Sequence, residues 1–166
     1  MDGRTTSRIL VAGIGNIFLG DDGFGPEVLR HVPPKLARPP VQLIDYGIRG
    51  MHLAYDLLDG CAALVLVDAI PDRGAPGTVH VFQAEPESLS RTIGLDAHAM
   101  DPAAVFASLK ALGGTPPYTV VIGCEVSTVE EGIGLSEPVT AAVGPAVQAI
   151  ETTLAGLLAR PAATRG

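Results

Sequence analysis

Ile9-Leu10-Val11-Ala12-Gly13-Ile14-Gly15-Asn16-Ile17-Phe18-Leu19-Gly20-Asp21-Asp22-Gly23-Phe24-Gly25 sets an apolar run, a glycine-rich turn and a pair of acids in a row. The apolar part, Ile9–Ala12, does not alternate with polar residues, which is the pattern of a strand covered on both faces. The acids open a helix expected over Asp22–Val32, where carboxylates suit both capping and the helix dipole. Strand, tight turn and helix in that order predict an α/β fold.

Working outward, four more strand candidates follow: Val41–Ile44, Ala63–Val67, Thr78–Phe82 and Thr119–Ile122. Three further helices are expected from one-sided apolar stripes. Met51, Ala54, Leu57 and Leu58 mark the second, and Val105, Phe106, Leu109 and Leu112 the third. Val139, Val143, Val147, Ile150, Leu154 and Leu158 mark a long helix near the end. The third and fourth strands are separated by only about ten residues, Asp68 to Gly77, whereas a parallel crossover takes a dozen or more and usually a helix. That pair is therefore expected to be an antiparallel hairpin. The predicted architecture is a three-layer α/β/α sandwich on a five-stranded mixed, mostly parallel sheet. No repeat, charge block or long linker divides the 166 residues, so one domain is expected over 1–166, with its core at about 8–158. Pro33–Pro40 reads as a loop and Pro161–Gly166 as a frayed tail.

The chain carries 11 Lys and Arg against 18 Asp and Glu, a net charge of −7, with no basic run. Nucleic acid and anionic membranes both require a basic footprint, so neither is an expected partner. No stretch approaches the ~18 apolar residues of a membrane helix, and Met1–Ser7 lacks the apolar segment of a signal peptide. Cys61 and Cys124 form no CxxC pair and are expected to be reduced core thiols of a cytoplasmic protein.

In open α/β sheets ligands bind beyond the carboxyl ends of the strands. The segments there are Gly13–Gly25, Asp45–Gly50, Asp68-Ala69, a loop with Asp96-Ala97-His98, and Gly123-Cys124-Glu125. Carboxylates and one imidazole thus gather on one edge, a donor set suited to an open divalent-metal site. A dinucleotide fingerprint fails on spacing, because Phe18 stands where the third glycine belongs. Asp21 and Asp22 would also repel a pyrophosphate at the helix start. No GxSxG elbow is present, which excludes the common serine-hydrolase arrangement.

Gly13-x-Gly15-Asn16-x-x-x-x-Asp21-Asp22-Gly23-x-Gly25 resembles the opening motif of the hydrogenase maturation endopeptidases. Asp45-x-Gly47-x-x-Gly50 resembles their second motif, and Leu66-Val67-Asp68-Ala69-Ile70 with Gly74-x-Pro76-Gly77-Thr78 their third. His98 stands where the family has a metal-binding histidine. Ile122-Gly123-Cys124-Glu125 and Glu130-Glu131-Gly132-Ile133-Gly134-Leu135-Ser136 are similar to its later segments. The resemblance implies a phosphorylase/hydrolase-like α/β/α fold. It also implies an endopeptidase, aspartic-type or metal-dependent, that removes a C-terminal extension from a nickel-iron hydrogenase large-subunit precursor once nickel is inserted. By resemblance Asp22, Asp68 and His98 contact the metal, and Asp45 is a further active-site carboxylate. The nickel arrives with the precursor, and other divalent ions could occupy the same ligands.

Blander roles stand beside these. Asp22 or Asp21 could cap the first helix, Asp68 could be a turn residue, and His98 could cap or line the helix after it. His31 suits a helix C-terminus, His52 a helix surface, and His80 a mid-strand position. Cys124, at a strand end, is a packed thiol or, as an alternative, a nucleophile. Two other functions use the same residues or fold: a nickel-sensing maturation chaperone without proteolysis, and peptidyl-tRNA hydrolase, which expects a basic face.

Overall fold

The computed structural model describes residues 8–84 and 102–159. Its five strands are β1 (Ile9–Ile14), β2 (Val41–Gly47), β3 (Ala63–Ile70), β4 (Val79–Gln83) and β5 (Tyr118–Glu125). Its α-helices are α1 (Phe24–His31), α2 (Gly50–Leu58), α3 (Pro102–Ala111) and α4 (Glu137–Leu158), with short 3-10 turns at Gly20–Gly23 and Pro34–Leu36. All five expected strands are present within a residue or a few of their expected bounds.

The sheet order is β2-β1-β3-β5-β4. β2, β1, β3 and β5 run parallel, and β4 lies antiparallel on the edge beside β5. The expected β3–β4 hairpin is therefore corrected. β4 does run against β3, but β5 lies between them. The burial patterns give the reason: β5 is covered along nearly its whole length, whereas β4 is half-buried at Val79 and His80 and exposed from Val81 to Gln83. Placing Val120–Cys124 in the interior and His80–Gln83 at the rim buries more apolar surface than a hairpin would.

Strand parity splits the core in two. Ile9 and Val11 of β1, Val65 and Val67 of β3, and Ile122 and Cys124 of β5 pack against α1 and α4. Leu10, Ala12, Leu64, Leu66 and Val121 face the other way, onto α2 and α3. This is the expected three-layer sandwich. Within the helices the buried stripe is shifted from the expected one. Leu53, Ala54 and Leu57 are buried on α2, while Met51 and Leu58 are exposed. Leu112 lies past the end of α3 and Leu158 is exposed. By length and composition alone α4 could cross a membrane, with an 18-residue window of mean hydropathy 1.2, contrary to the reading of the sequence. Here its stripe of Val139, Val143, Ala146, Ile150 and Leu154 packs in the core.

The feature that positions the carboxyl edge is the approach of α1 to the sheet. A Cβ added at Gly25 would lie 2.4 Å from Ile14 O and 2.5 Å from Val67 O, both rigid backbone atoms. Gly13 faces the same contact, its added Cβ 2.8 Å from Gly25 O. The helix start thus touches the backbone of two adjacent strands, which only glycine permits.

Gly25→Ala is expected to cost about 1–3 kcal/mol or more by overpacking. Gly144→Ala in α4, where an added Cβ meets nothing within 4 Å, is expected to stabilise by about 0.5–1 kcal/mol. Urea-unfolding midpoints measure both, and an unshifted Gly25→Ala midpoint would show that α1 is free to move away from the sheet.

Candidate functional site

Beyond β1 the chain turns at Gly15, whose φ is +144° and whose added Cβ would lie 2.0 Å from Asp22 O. Asn16 shapes the next turn, its Oδ1 accepting from Phe18 N at 2.9 Å. The Asn16 N–H donates to Asp22 Oδ2 at 2.7 Å, closing a loop from Asn16 to Asp22. Asp22 is half-buried and lies in the 3-10 turn. The helix begins later than expected, at Phe24, with Gly23 as its N-cap and no side-chain cap bond. Neither Asp21 nor Asp22 caps α1, because Asp21 is spent on the loop before α4 and Asp22 on Asn16 of its own loop.

Asp21 is fully buried. Its Oδ2 accepts from Ser127 N at 2.8 Å, Thr128 N at 3.0 Å and Ser136 Oγ at 2.8 Å. Its Oδ1 accepts from Ser136 N at 2.7 Å. Ser136 is the N-cap of α4, yet its side chain makes no cap bond to that helix, giving up an interaction worth ~1 kcal/mol. The Asp21 charge takes its place at the positive end of α4. Burial pushes the Asp21 pKa up, but the bonds from Ser136, Thr128 and Ser127 outweigh it and hold the group below its usual 3.8.

Asp68 is buried in β3, opposite Gly123 of β5, and its Oδ1 accepts from Ala69 N at 2.8 Å. It sits within the strand rather than in a turn. By parity with Leu64 and Leu66 it belongs to the α2 and α3 side of the sheet. The Gly20–Gly23 turn, which carries Asp22, contacts β3. Asp45, near the end of β2, is exposed and accepts from Gly47 N at 2.9 Å. Gly47 O in turn receives Gly15 N at 2.9 Å. Arg49 secures the turn by donating from Nη2 to Asp45 O and from Nε to Tyr46 O. Asp22, Asp45 and Asp68 therefore all lie at the carboxyl edge. His98 and Asp96 lie outside the described residues. Among the described residues no group of three or more His, Cys, Asp or Glu side chains is placed to hold an ion.

A further carboxylate is tied up at the end of β5. Glu125 is buried, and its Oε1 accepts from Arg73 N at 2.8 Å and Ala75 N at 3.1 Å. Its Oε2 meets His80 Nε2 at 2.7 Å. The His80 contact, followed by the backbone donors, lowers the Glu125 pKa below its usual 4.5. His80 is thus the partner of a buried acid that anchors the β3–β4 loop, a role its mid-strand position did not reveal. The available signal was a histidine in one strand and a glutamate ending another, but their register could not be read without the sheet order. Cys124 is fully buried, and burial, then the charges of Asp21 and Glu125, push its thiol up to about 11. It is a packed thiol and not a nucleophile.

Comparison with known proteins places these features in context. Residues 26–153 match the family model described as hydrogenase maturation protease. The chain is 30% identical over 149 residues to the hydrogenase 2 maturation protease of Escherichia coli, covering 89% of this chain and 90% of that one. Its fold superposes on the hydrogenase maturating endopeptidase HybD from Escherichia coli with a TM-score of 0.74 at 28% identity, covering 90% of this chain and 93% of that one. The hydrogenase 2 maturation peptidase from a Thaumarchaeota archaeon gives a TM-score of 0.63 at 28% identity, covering 89% and 98%.

The lowered pKa values of Asp21 and Glu125 have a consequence for stability. Both groups bind protons less readily when folded than when unfolded, so unfolding takes up protons in acid. Their contribution is full above their usual values of 3.8 and 4.5 and is lost as pH falls through the lower folded values. Urea unfolding from pH 7 down to pH ~3 is expected to show this decline, and Glu125→Gln is expected to make it shallower. An unchanged slope in that variant would show that Glu125 is not held ionised by the fold.

Proposed function

The chain belongs to the hydrogenase maturation protease family, and on that premise we propose that it removes the C-terminal extension of a nickel-iron hydrogenase large-subunit precursor after nickel insertion. The enzyme is a peptide hydrolase: water adds to the scissile carbonyl, the C–N bond breaks, and the released amine takes a proton. The observation that carries the site assignment is the packing of the Asp22 turn on the end of β3. Gly25 closes onto Val67 O, one residue before Asp68, so the two carboxylates belong to segments in backbone contact.

In this reading Asp22 and Asp68 offer carboxylate oxygens, and His98 an imidazole, to the nickel that the precursor brings. Carboxylate and imidazole suit such a borderline ion, and three ligands leave positions open for groups of the precursor. Other divalent ions would bind the same donors weakly. Asp45, exposed at the neighbouring strand end, is a further acid facing the substrate. Whether a carboxylate takes the proton of the attacking water, as in an aspartic peptidase, or the metal acidifies that water is a difference of route to the same hydrolysis. The two free thiols, Cys61 and Cys124, fit a reducing compartment, and we place the reaction in the cytoplasm. Family membership sets aside peptidyl-tRNA hydrolase. A nickel-sensing chaperone would use the same ligands but leave the precursor at full length, so mixing the protein with nickel-loaded precursor separates the two: a shortened subunit for the peptidase, a stable complex for the chaperone.

Asp22→Asn tests the site. The amide oxygen can still accept from Asn16 N, so folding should persist with near-normal thermal melting. It carries no charge and is a poorer ligand, so precursor shortening is expected to fall by at least ~10–100-fold. Asp22→Glu is expected to keep much more activity, because the carboxylate is retained. A well-folded Asp22→Asn protein that shortens the precursor at the normal rate would remove Asp22 from the site.

A further inference from the structure

Two loops meet on the carboxyl edge: Asn16–Gly23 before α1, which carries Asp22, and Val126–Leu135 before α4. Three backbone bonds stitch them together, Gly20 N to Gly132 O at 2.9 Å, Asp21 N to Thr128 O at 2.9 Å, and Gly132 N to Phe18 O at 2.8 Å. The other four bonds all end on one carboxylate, that of Asp21. Two come from the start of the second loop, at Ser127 and Thr128. Two come from the residue that closes it, Ser136. Asp21 thus pins both ends of that loop to the turn in which Asp22 is the next residue.

The pinned loop is not itself buried. Ile133 is 78% exposed and Val129 49%, and Phe18, whose carbonyl holds Gly132, is 57% exposed. A loop that presents large apolar side chains to water beside such an edge binds a substrate at lower ordering cost if its place is fixed beforehand. The chemistry of the pin suits that. Three N–H groups and one hydroxyl converge on a buried anion, and no neutral group of the same shape accepts from all four.

We infer that Asp21 is a positioning residue for the precursor: it holds the Val126–Leu135 loop in a fixed place relative to Asp22, so that the substrate meets loop and carboxylate as one preorganised surface. This rests on the reading of Asp22 as a residue that contacts the precursor. Loosening the loop taxes binding before chemistry, so the effect falls on KM more than on kcat.

The experiment follows shortening of nickel-loaded precursor at several precursor concentrations, with thermal melting and limited proteolysis alongside. Ser136→Ala deletes one donor to Asp21 while leaving all three backbone bonds and an α4 that never used the hydroxyl as a cap. It is expected to raise KM by ~3–10-fold, the scale of one typical net hydrogen bond, with kcat changed by less than about 2-fold. Asp21→Asn turns an N–H donor towards donors and is expected to raise KM by at least ~10-fold. Both variants should be cleaved faster within Val126–Leu135 by an added protease. If Asp21→Asn does not fold, Ser136→Ala decides alone. Wild-type KM in Ser136→Ala, or a fall in kcat with KM unchanged, would overturn the inference and leave Asp21 a purely structural acid. Failure of the underlying reading looks different, because Asp22→Asn would then process the precursor normally.

Discussion

Everything at the carboxyl edge of the sheet depends on how closely the start of α1 approaches β1 and β3. Gly25 allows that helix to touch Ile14 O and Val67 O, and Gly13 and Gly15 clear the path on the strand side. A single methyl group at Gly25 would push the helix outward by its own thickness, and the turn carrying Asp21 and Asp22 would move with it. The glycines that resemble a nucleotide-binding turn are therefore used for packing. At Gly15 the backbone carbonyl of Asp22 lies 2.0 Å from where a Cβ would stand.

In a chain of net charge −7, Asp21 and Glu125 are buried with no Lys or Arg ion pair among the described residues, so they need another way to stay ionised. Asp21 and Glu125 solve this alike, by collecting backbone N–H groups from loops that would otherwise leave those donors unpaired. Each acid is thereby a loop anchor. Asp21 fixes the segment before α4 and Glu125, with His80, the segment between β3 and β4. Asp22, one residue from the first anchor, keeps a half-buried carboxylate at the edge. One acid is thus spent on rigid support, while its neighbour stays partly exposed at the edge.

The sheet order shows how a local argument can be right about direction and wrong about neighbours. Ten residues rich in glycine and proline are too few for a parallel crossover, and β4 does run against β3. Yet β5, apolar on both faces, outcompetes β4 for the slot beside β3. That competition is settled by total burial, and the half-polar composition of Val79–Gln83 already suited an edge. The exchange also matters for the site, because it places Glu125 and Gly123 next to the end of β3.

The layer architecture, the five strands and the four helices were legible in the chain, because two-sided apolar strands and one-sided helices leave few ways to bury their surfaces. The family was legible too, through separated motifs in order, as was the placing of Asp22, Asp45 and Asp68 on one edge, because strand ends can be read from local pattern. His98 could be named from its motif alone and lies outside the described residues. Partners across long separations emerged only with the fold. Asp21 read as a helix cap because caps are the common local use of such an acid, yet its partners lie at Ser127, Thr128 and Ser136. His80 read as an ordinary strand residue because Glu125 comes beside it only once β4 pairs with β5. Local pattern reports which surfaces must be buried. The partners of a buried charge are chosen by the fold, since any acid can be satisfied by whichever N–H groups the packing brings within reach.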